Sequence, residues 1–267
     1  MSAISLAHKF IPRRIYQQFR AMTGNFYAQV KTGKYSETEN FAQAAAFAYG
    51  LLMATETAKQ YGYKSIAVAE FGVFNGRGLR MMAAMAERLS RQSDIEIKIY
   101  GFDTGTGQTP PKDWRDIPHI MSEGEFEMSG LEALRLELKG KAELVINDIG
   151  KIGELSNVID PTVPMGFASV DVDLYSSTKA TLELLATAET MALLPQVNLY
   201  IRDSFTRLYY SRFVAMLRAV EDFNQNSETR KIDIDRSISN WYGKVKPWHA
   251  SMHVMHTLDY QGKRIHR

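Results

Sequence analysis

Apolar positions along the chain change period several times, and each change marks an element. SIAVAEF (65–71) is a run of β-branched and apolar residues, of strand length and too short for a helix. IEIKIYGFD (95–103) alternates strictly at its start, and ELVIND (143–148), GFASVDVDLY (166–175) and VNLYIRD (197–203) repeat the strand pattern. Between them the spacing turns helical. RGLRMMAAMAERLSRQ follows the first strand, and TKATLELLATAETMALL, carrying Leu182, Leu185 and Leu193, lies between the fourth and fifth. Tyr210, Phe213, Val214, Leu217 and Val220 mark a further helix. Near-continuous apolar strands alternating with helices predict a single doubly wound α/β domain, its sheet mostly parallel and covered on both faces. KIDIDRS (231–237) and SMHVMHTL (251–258) follow without a long helix between them, which predicts an antiparallel edge.

Upstream, FAQAAAFAYGLLMATETAKQYG places Phe41, Ala45, Ala48, Leu52 and Thr55 on one helical face, and Gly62 ends it. Ser36 followed by Glu39 has the form of a capping box for that helix. Still earlier, Phe10, Ile11, Ile15 and Phe19 sit at helical spacing with Arg13, Arg14 and Arg20 among them. Residues 1–40 therefore read as a helical arm packing on the domain or on a second subunit, with a membrane-surface helix as the alternative. The first of these carries the expectation of a homo-oligomer. Residues 41–267 form the domain proper.

Composition narrows the function classes. At roughly 150 residues per domain, 267 residues make one large domain or two small ones, and no repeat or low-complexity tract divides the chain. Thirty-two basic against 30 acidic residues leave a net charge of +2, too balanced for a dedicated nucleic-acid binder. The absence of cysteine removes disulfides, thiolate metal sites and a cysteine nucleophile, and it fits a reducing compartment. No apolar run approaches the ~18 residues of a membrane span. The start also lacks the order of charges before apolar residues that a signal peptide has. The expectation is a cytoplasmic protein with no membrane span and no nucleic-acid partner.

The chemistry concentrates at strand ends. AEFGVFNGRG follows the first strand and opens a helix, and Gly72, Gly76 and Gly78 let the backbone turn tightly and a ligand approach main-chain N–H groups. The spacing G-x-x-x-G-x-G differs from the dinucleotide fingerprint, and no G-K-[ST] makes it a P-loop. Glu70 at the strand end would repel a pyrophosphate but suits a cationic amino group. Asp103, ending the second strand, is placed to accept hydrogen bonds from ribose hydroxyls. A ribose-containing ligand without a pyrophosphate at the loop, such as S-adenosylmethionine, fits both. The alternative is an ordinary turn with solvated acids. Asp171 and Asp173 crowd the end of the fourth strand, where like charges need a metal, a cationic partner or a shared proton. Asp203 ends the fifth and should face the same crevice.

AEFGVFNGRG, GFDTGTG with a proline-containing loop, DVDLYSST and a strand ending in Asp203 together resemble the macrocin O-methyltransferase family. The resemblance covers roughly residues 65–225. It implies a Rossmann-like class I S-adenosylmethionine-dependent enzyme that methylates hydroxyls of sugars or other polyhydroxylated small molecules. Carried over to this chain, it implies that Glu70, Gly72 and Gly76, with Phe74 and Asn75 of the same loop, surround the methionine end of the cofactor. Asp103 and Thr104 would hold the ribose, and Asp148 would lie near the adenine. Asp171 would border the cofactor and ligate Mg2+ together with Asp203, and Asp173 would be the general base. The family has two adjacent acids after the fifth strand, whereas this chain has Arg202 and then Asp203. Three consequences stay open: the ion binds through Asp171 and Asp203 alone, the guanidinium points elsewhere, or it replaces the ion.

Methyl transfer needs the acceptor hydroxyl deprotonated as the bond forms, and Asp173 or His119 are the candidate bases. His119 lies in the long loop TGTGQTPPKDWRDIPHIMSEGEF with Trp114, Arg115 and Asp116, a length typical of binding loops. His249, His253 and His256 would share a face on a helix, but strand spacing puts His253 and His256 on opposite faces and argues against a metal site. Met81, Met82 and Met85 read as core filling behind the glycine loop. Two other readings remain: a cofactor-binding relative without turnover, and a nicotinamide oxidoreductase, against which the glycine spacing counts.

Overall fold

The computed structural model describes Val30 and residues 42–202, 211–238 and 245–265. Expectations for the N-terminal arm, the Ser36–Glu39 box, Phe41, Tyr210 and Asp203 lie outside these residues.

The first described helix, α1 (Ala42–Gln60), leads into β1 (Ser65–Phe71), α2 (Arg77–Ser93) and β2 (Glu96–Asp103). A long loop with a 3-10 turn at Trp114–Asp116 precedes α3 (Leu131–Leu138) and β3 (Glu143–Ile146). Then follow β4 (Met165–Val170), α4 (Tyr175–Thr187), β5 (Leu193–Ile201), α5 (Ala215–Asn226), β6 (Arg230–Ile234) and β7 (Met252–Thr257). The sheet order is β3-β2-β1-β4-β5-β7-β6. β1 to β5 pair in parallel, and β7 runs antiparallel between β5 and β6. This is the doubly wound α/β fold. The antiparallel strand expected at the C-terminal end is present, inserted one place inside the edge, which β6 forms.

The period-2 geometry of a strand explains how one sheet supports two cores. In β1, Ile66 and Val68 face the layer of α1 and α2, whereas Ala67, Ala69 and Phe71 face the layer of α4 and α5. β4 is buried at all six positions, as a strand covered on both faces must be. In α2, Leu79, Met82, Met85, Ala86 and Leu89 recur at helical spacing and are buried, while Met81 is only partly so. The helix read through Leu193 ends earlier, at Thr187. A 3-10 turn at Thr190–Ala192 intervenes, and Leu193 begins β5 as a buried strand residue. Phe213 likewise stands before α5 and is exposed. Among the described residues no helix is long and apolar enough to cross a membrane.

Small residues let α1 settle close on the sheet. A Cβ at Gly50 would overlap the ring of Phe167 in β4, and one at Gly166 would press on Ala54. Phe167 is fully buried and held edge-on by Phe47 at 5.7 Å between centroids, so it has no room to move away. Substituting Gly50→Val should therefore destabilise the protein by about 1–3 kcal/mol through overpacking. Urea unfolding should show this as a lower midpoint at unchanged slope.

Candidate functional site

The strand order reverses between β1 and β4, and ligands of open α/β sheets bind outside the carboxyl ends of the strands at that switch point. Here the chain is tight enough to exclude a side chain. Gly72 has φ +88°, and a Cβ on it would overlap the Asp171 carbonyl oxygen. Above it opens a cavity of about 1170 Å³, larger than the roughly 300–1000 Å³ of an ordinary single-ligand pocket.

Glu70 forms the cavity's floor. Its side chain is buried, accepts a hydrogen bond from the Leu79 backbone N–H in the first turn of α2, and leaves Oε2 without a hydrogen-bond partner. The positive end of the α2 dipole favours a carboxylate there. Burial above all, and then the neighbouring charge of Asp171, nevertheless push the Glu70 carboxyl well above its ordinary range. The carboxyl can occupy this place because residue 78 is glycine: a Cβ at Gly78 would collide with Glu70 Oε1. Gly76 does something else. It precedes α2 at φ +74°, does not line the cavity, and packs against Leu134 of α3.

At the end of β2, Asp103 is already engaged by backbone. Its Oδ2 accepts the N–H groups of Val73 and Phe74 at 2.8 and 2.9 Å, and its Oδ1 accepts that of Gly105 at 2.7 Å. The carboxylate thus pins the glycine loop to β2. Two oxygens with about four acceptor positions still leave capacity for a ligand hydroxyl. Thr104 lines the cavity but donates its hydroxyl to the Gly107 carbonyl at 2.7 Å. Asn75 also lines it and accepts from Ser129 at 2.9 Å. Asp148 reaches the cavity from beyond β3 and caps the following 3-10 turn through the Gly150 N–H at 3.0 Å.

On the β4 side, Asp171 and Asp173 both border the cavity. Arg202, just after β5, donates from Nη1 to Asp171 Oδ2 at 2.8 Å. Burial raises the Asp171 carboxyl to about 6, Arg202 opposes the rise, and the charge of Asp173 adds to it. Asp173 is raised as well, chiefly by burial, against the pull of Arg202 and of Gln108. Burial works against the Arg202 charge too, but Asp171, with Tyr200 and Asp173, outweighs it, and the guanidinium is held above its usual value. Asp173 has φ +58°, a conformation an aspartate tolerates better than most residues but still at a cost.

Magnesium near an octahedron of hard oxygens does not fit the described residues. One Asp171 oxygen accepts from a guanidinium, Asp203 lies outside the described residues, and no group of three His, Asp or Glu among the described residues could hold a metal ion. His249 and His253 are buried in the C-terminal region, and His253 and His256 fall on opposite sides of β7.

Two of the loop residues named from the sequence, Arg115 and Asp116, support the site from behind and do not line the cavity. Asp116 is buried, and its two oxygens accept the N–H groups of Ser176 and Lys112, each at 2.7 Å. It caps α4 from outside, where the helix's own preceding residue, Leu174, offers no side-chain cap. Arg115 donates to the Tyr175 hydroxyl at 2.7 Å, which in turn donates to Asp222 at 2.9 Å. Trp114 and His119 are exposed and do not line the cavity, so His119, named as the alternative base to Asp173, stands apart from it.

Two lining residues, Gln108 and Phe126, carried no sequence signal. Gln108 donates to Asp173 at 3.2 Å and keeps a buried Oε1 without a partner. Phe126, at φ +62°, meets Phe74, at φ +48°, edge to face at 5.9 Å. Both rings are substantially exposed at the cavity. Phe74 was readable only as a loop neighbour of the glycines, and no motif distinguishes Gln108 or Phe126 within their loop.

No protein-family model matches the chain. No curated protein matches it either. Among solved structures, the calicheamicin methyltransferase CalS11 is similar over 56% of this chain at 24% identity and a TM-score of 0.42, and the chain spans 62% of that protein's length. Its apo form, described as a TDP-rhamnose 3'-O-methyltransferase, matches over 77% of this chain and 78% of its own at 18% identity and a TM-score of 0.44. The plantazolicin methyltransferase BamL, in complex with a triazolic desmethylPZN analogue and SAH, matches over 91% and 95% at 9% identity and a TM-score of 0.40.

Glu70 offers a stability test of this geometry. Its folded value lies above the reference of 4.5, so between the two the folded state holds the proton more than the unfolded state does. Rising pH then erodes stability. Glu70→Gln removes that loss, so the variant should gain on the wild type as pH rises from about 4.5 upward. The gain grows by at most about 1.4 kcal/mol per pH unit, the slope that one bound proton sets. Denaturant midpoints of both proteins across that range measure it.

Proposed function

We propose that the protein is an S-adenosylmethionine-dependent O-methyltransferase whose acceptor is a sugar or another polyhydroxylated small molecule. The observation that carries the reading is the Glu70 carboxyl. It lies on a cavity floor with one oxygen unpartnered, beneath a glycine turn, while Asp103 stands at the end of the next strand. A buried acid in this position answers an ammonium group, which supplies both a charge and hydrogen-bond donors to the orphaned oxygen. A nicotinamide dinucleotide would bring its pyrophosphate against the same acid, and like charge opposes it.

S-adenosylmethionine supplies a methyl carbon on a positively charged sulfur, and transfer leaves the neutral thioether of S-adenosylhomocysteine. The protein's share is alignment and proton removal. Glu70 and the turn at Gly72 hold the amino-acid end, and Asp103 with Thr104 borders the ribose. Asp148 stands at the adenine end. Asp173 takes the proton from the acceptor hydroxyl as the oxygen forms its bond to the methyl carbon and the carbon–sulfur pair returns to sulfur. Gln108 keeps Asp173 turned toward the cavity. The cavity's volume, beyond that of one ligand, leaves space for an acceptor beside the cofactor. Carboxylates and amides on its walls suit an acceptor rich in hydroxyl groups.

Calorimetry with S-adenosylhomocysteine tests the cofactor assignment directly: micromolar binding is expected, and its absence would sink the reading. Gly78→Val, which drives a side chain into Glu70, should weaken that binding at least about tenfold, and an unchanged affinity would remove Glu70 from the site. With nucleotide sugars and glycans as candidate acceptors, Asp173→Asn should bind S-adenosylhomocysteine like the wild type yet transfer methyl about 10²–10⁴-fold more slowly.

A further inference from the structure

Asp171 and Asp173 face one cavity from the end of β4, and Arg202 reaches Asp171 from the end of β5. The guanidinium binds Asp171 Oδ2 at 2.8 Å, and its side chain stays 32% exposed where it lines the cavity, against 11% for Asp171. It is thus both a partner of the buried acid and part of the wall a ligand would touch. A divalent ion on Asp171 Oδ2 would have to displace a charge-assisted hydrogen bond of good length, and one on Oδ1 would still arrive beside a fixed positive charge.

We infer that Arg202 is the resident cation of this site, presenting its charge to the acceptor oxygen and excluding a divalent metal from Asp171. The guanidinium has five N–H donors in a planar fork and keeps its charge at any working pH. A cation beside the acceptor oxygen favours the form without its proton, which Asp173 removes. The charge transferred to the oxygen is then spent in forming the bond to carbon, and no metal takes part in the balance. The role at the acceptor rests on the methyltransferase reading; the exclusion of metal rests on the Arg202–Asp171 geometry alone.

The test is a Mn2+ titration of the full chain, with the free ion followed by electron paramagnetic resonance, with and without S-adenosylhomocysteine. The wild type is expected to leave the ion free up to about 10⁻³ M, the weak end of protein carboxylate sites. Arg202→Glu sets a second carboxylate beside Asp171 and should take up one ion at least about tenfold more tightly than the wild type. Saturable uptake by the wild type that Asp171→Asn abolishes would overturn the inference, and so would a folded Arg202→Glu variant that gains no ion. The wild-type arm stands by itself if that variant does not fold. Once an acceptor is found, EDTA should leave the transfer rate unchanged, whereas loss of a working metal would slow it about a hundredfold or more and refute the assignment. Failure to bind S-adenosylhomocysteine would count against the methyltransferase reading and would leave the Mn2+ result intact.

Discussion

Holding charge out of water at the carboxyl ends of β1 and β4 is the constraint around which this site is arranged. Glu70, Asp171 and Asp173 converge on one crevice, and burial pushes all three carboxyls above their ordinary range. Isolated buried charges are expensive, so each acid has its own means of support. Glu70 lies at the positive end of α2, Asp171 has the Arg202 guanidinium, and Asp173 has the Gln108 amide. The support is incomplete at Glu70 Oε2, and that incompleteness is what a cationic ligand group would relieve.

The backbone around these acids is shaped to let them approach. Gly72 brings β1 against the Asp171 carbonyl, and Gly78 makes room for the Glu70 carboxyl over the helix. Asp103 then locks the turn from the neighbouring strand, and Asp116 holds the start of α4 from the long loop. Left-handed conformations at Phe74, Phe126 and Asp173 fall on the same cavity. Such strain persists where surrounding contacts enforce it, and it gathers at ligand-binding places. The site is therefore held partly by its own walls and partly by Asp116, which lies off the cavity and whose loss would loosen it from behind.

Much of the frame was legible along the chain. SIAVAEF matches β1 residue for residue, and of the acids named from strand ends the five described, Glu70, Asp103, Asp148, Asp171 and Asp173, border one cavity. Strand ends are readable because the change from apolar to polar residues marks where the chain leaves the sheet. The roles within the cavity were less legible. Gly76 and Gly78 are two residues apart in one loop, yet one packs on Leu134 and the other on Glu70. Arg115 and Asp116 have the composition of a binding loop but face inward to α4 and α5, while His119 faces outward.

What the sequence determined by itself is the alternation of elements, and with it the sheet and the edge at which acids collect. Local periodicity encodes these, because each element's buried face is written in residues a few positions apart. The tertiary structure decided which groups meet across long separations: Arg202 on Asp171, Gln108 on Asp173, Asp116 on the start of α4. It also placed β7 inside β6. Those outcomes depend on the direction of a side chain and on which strands become neighbours. Both emerge only when the whole sheet has assembled, since no short stretch of chain contains both partners.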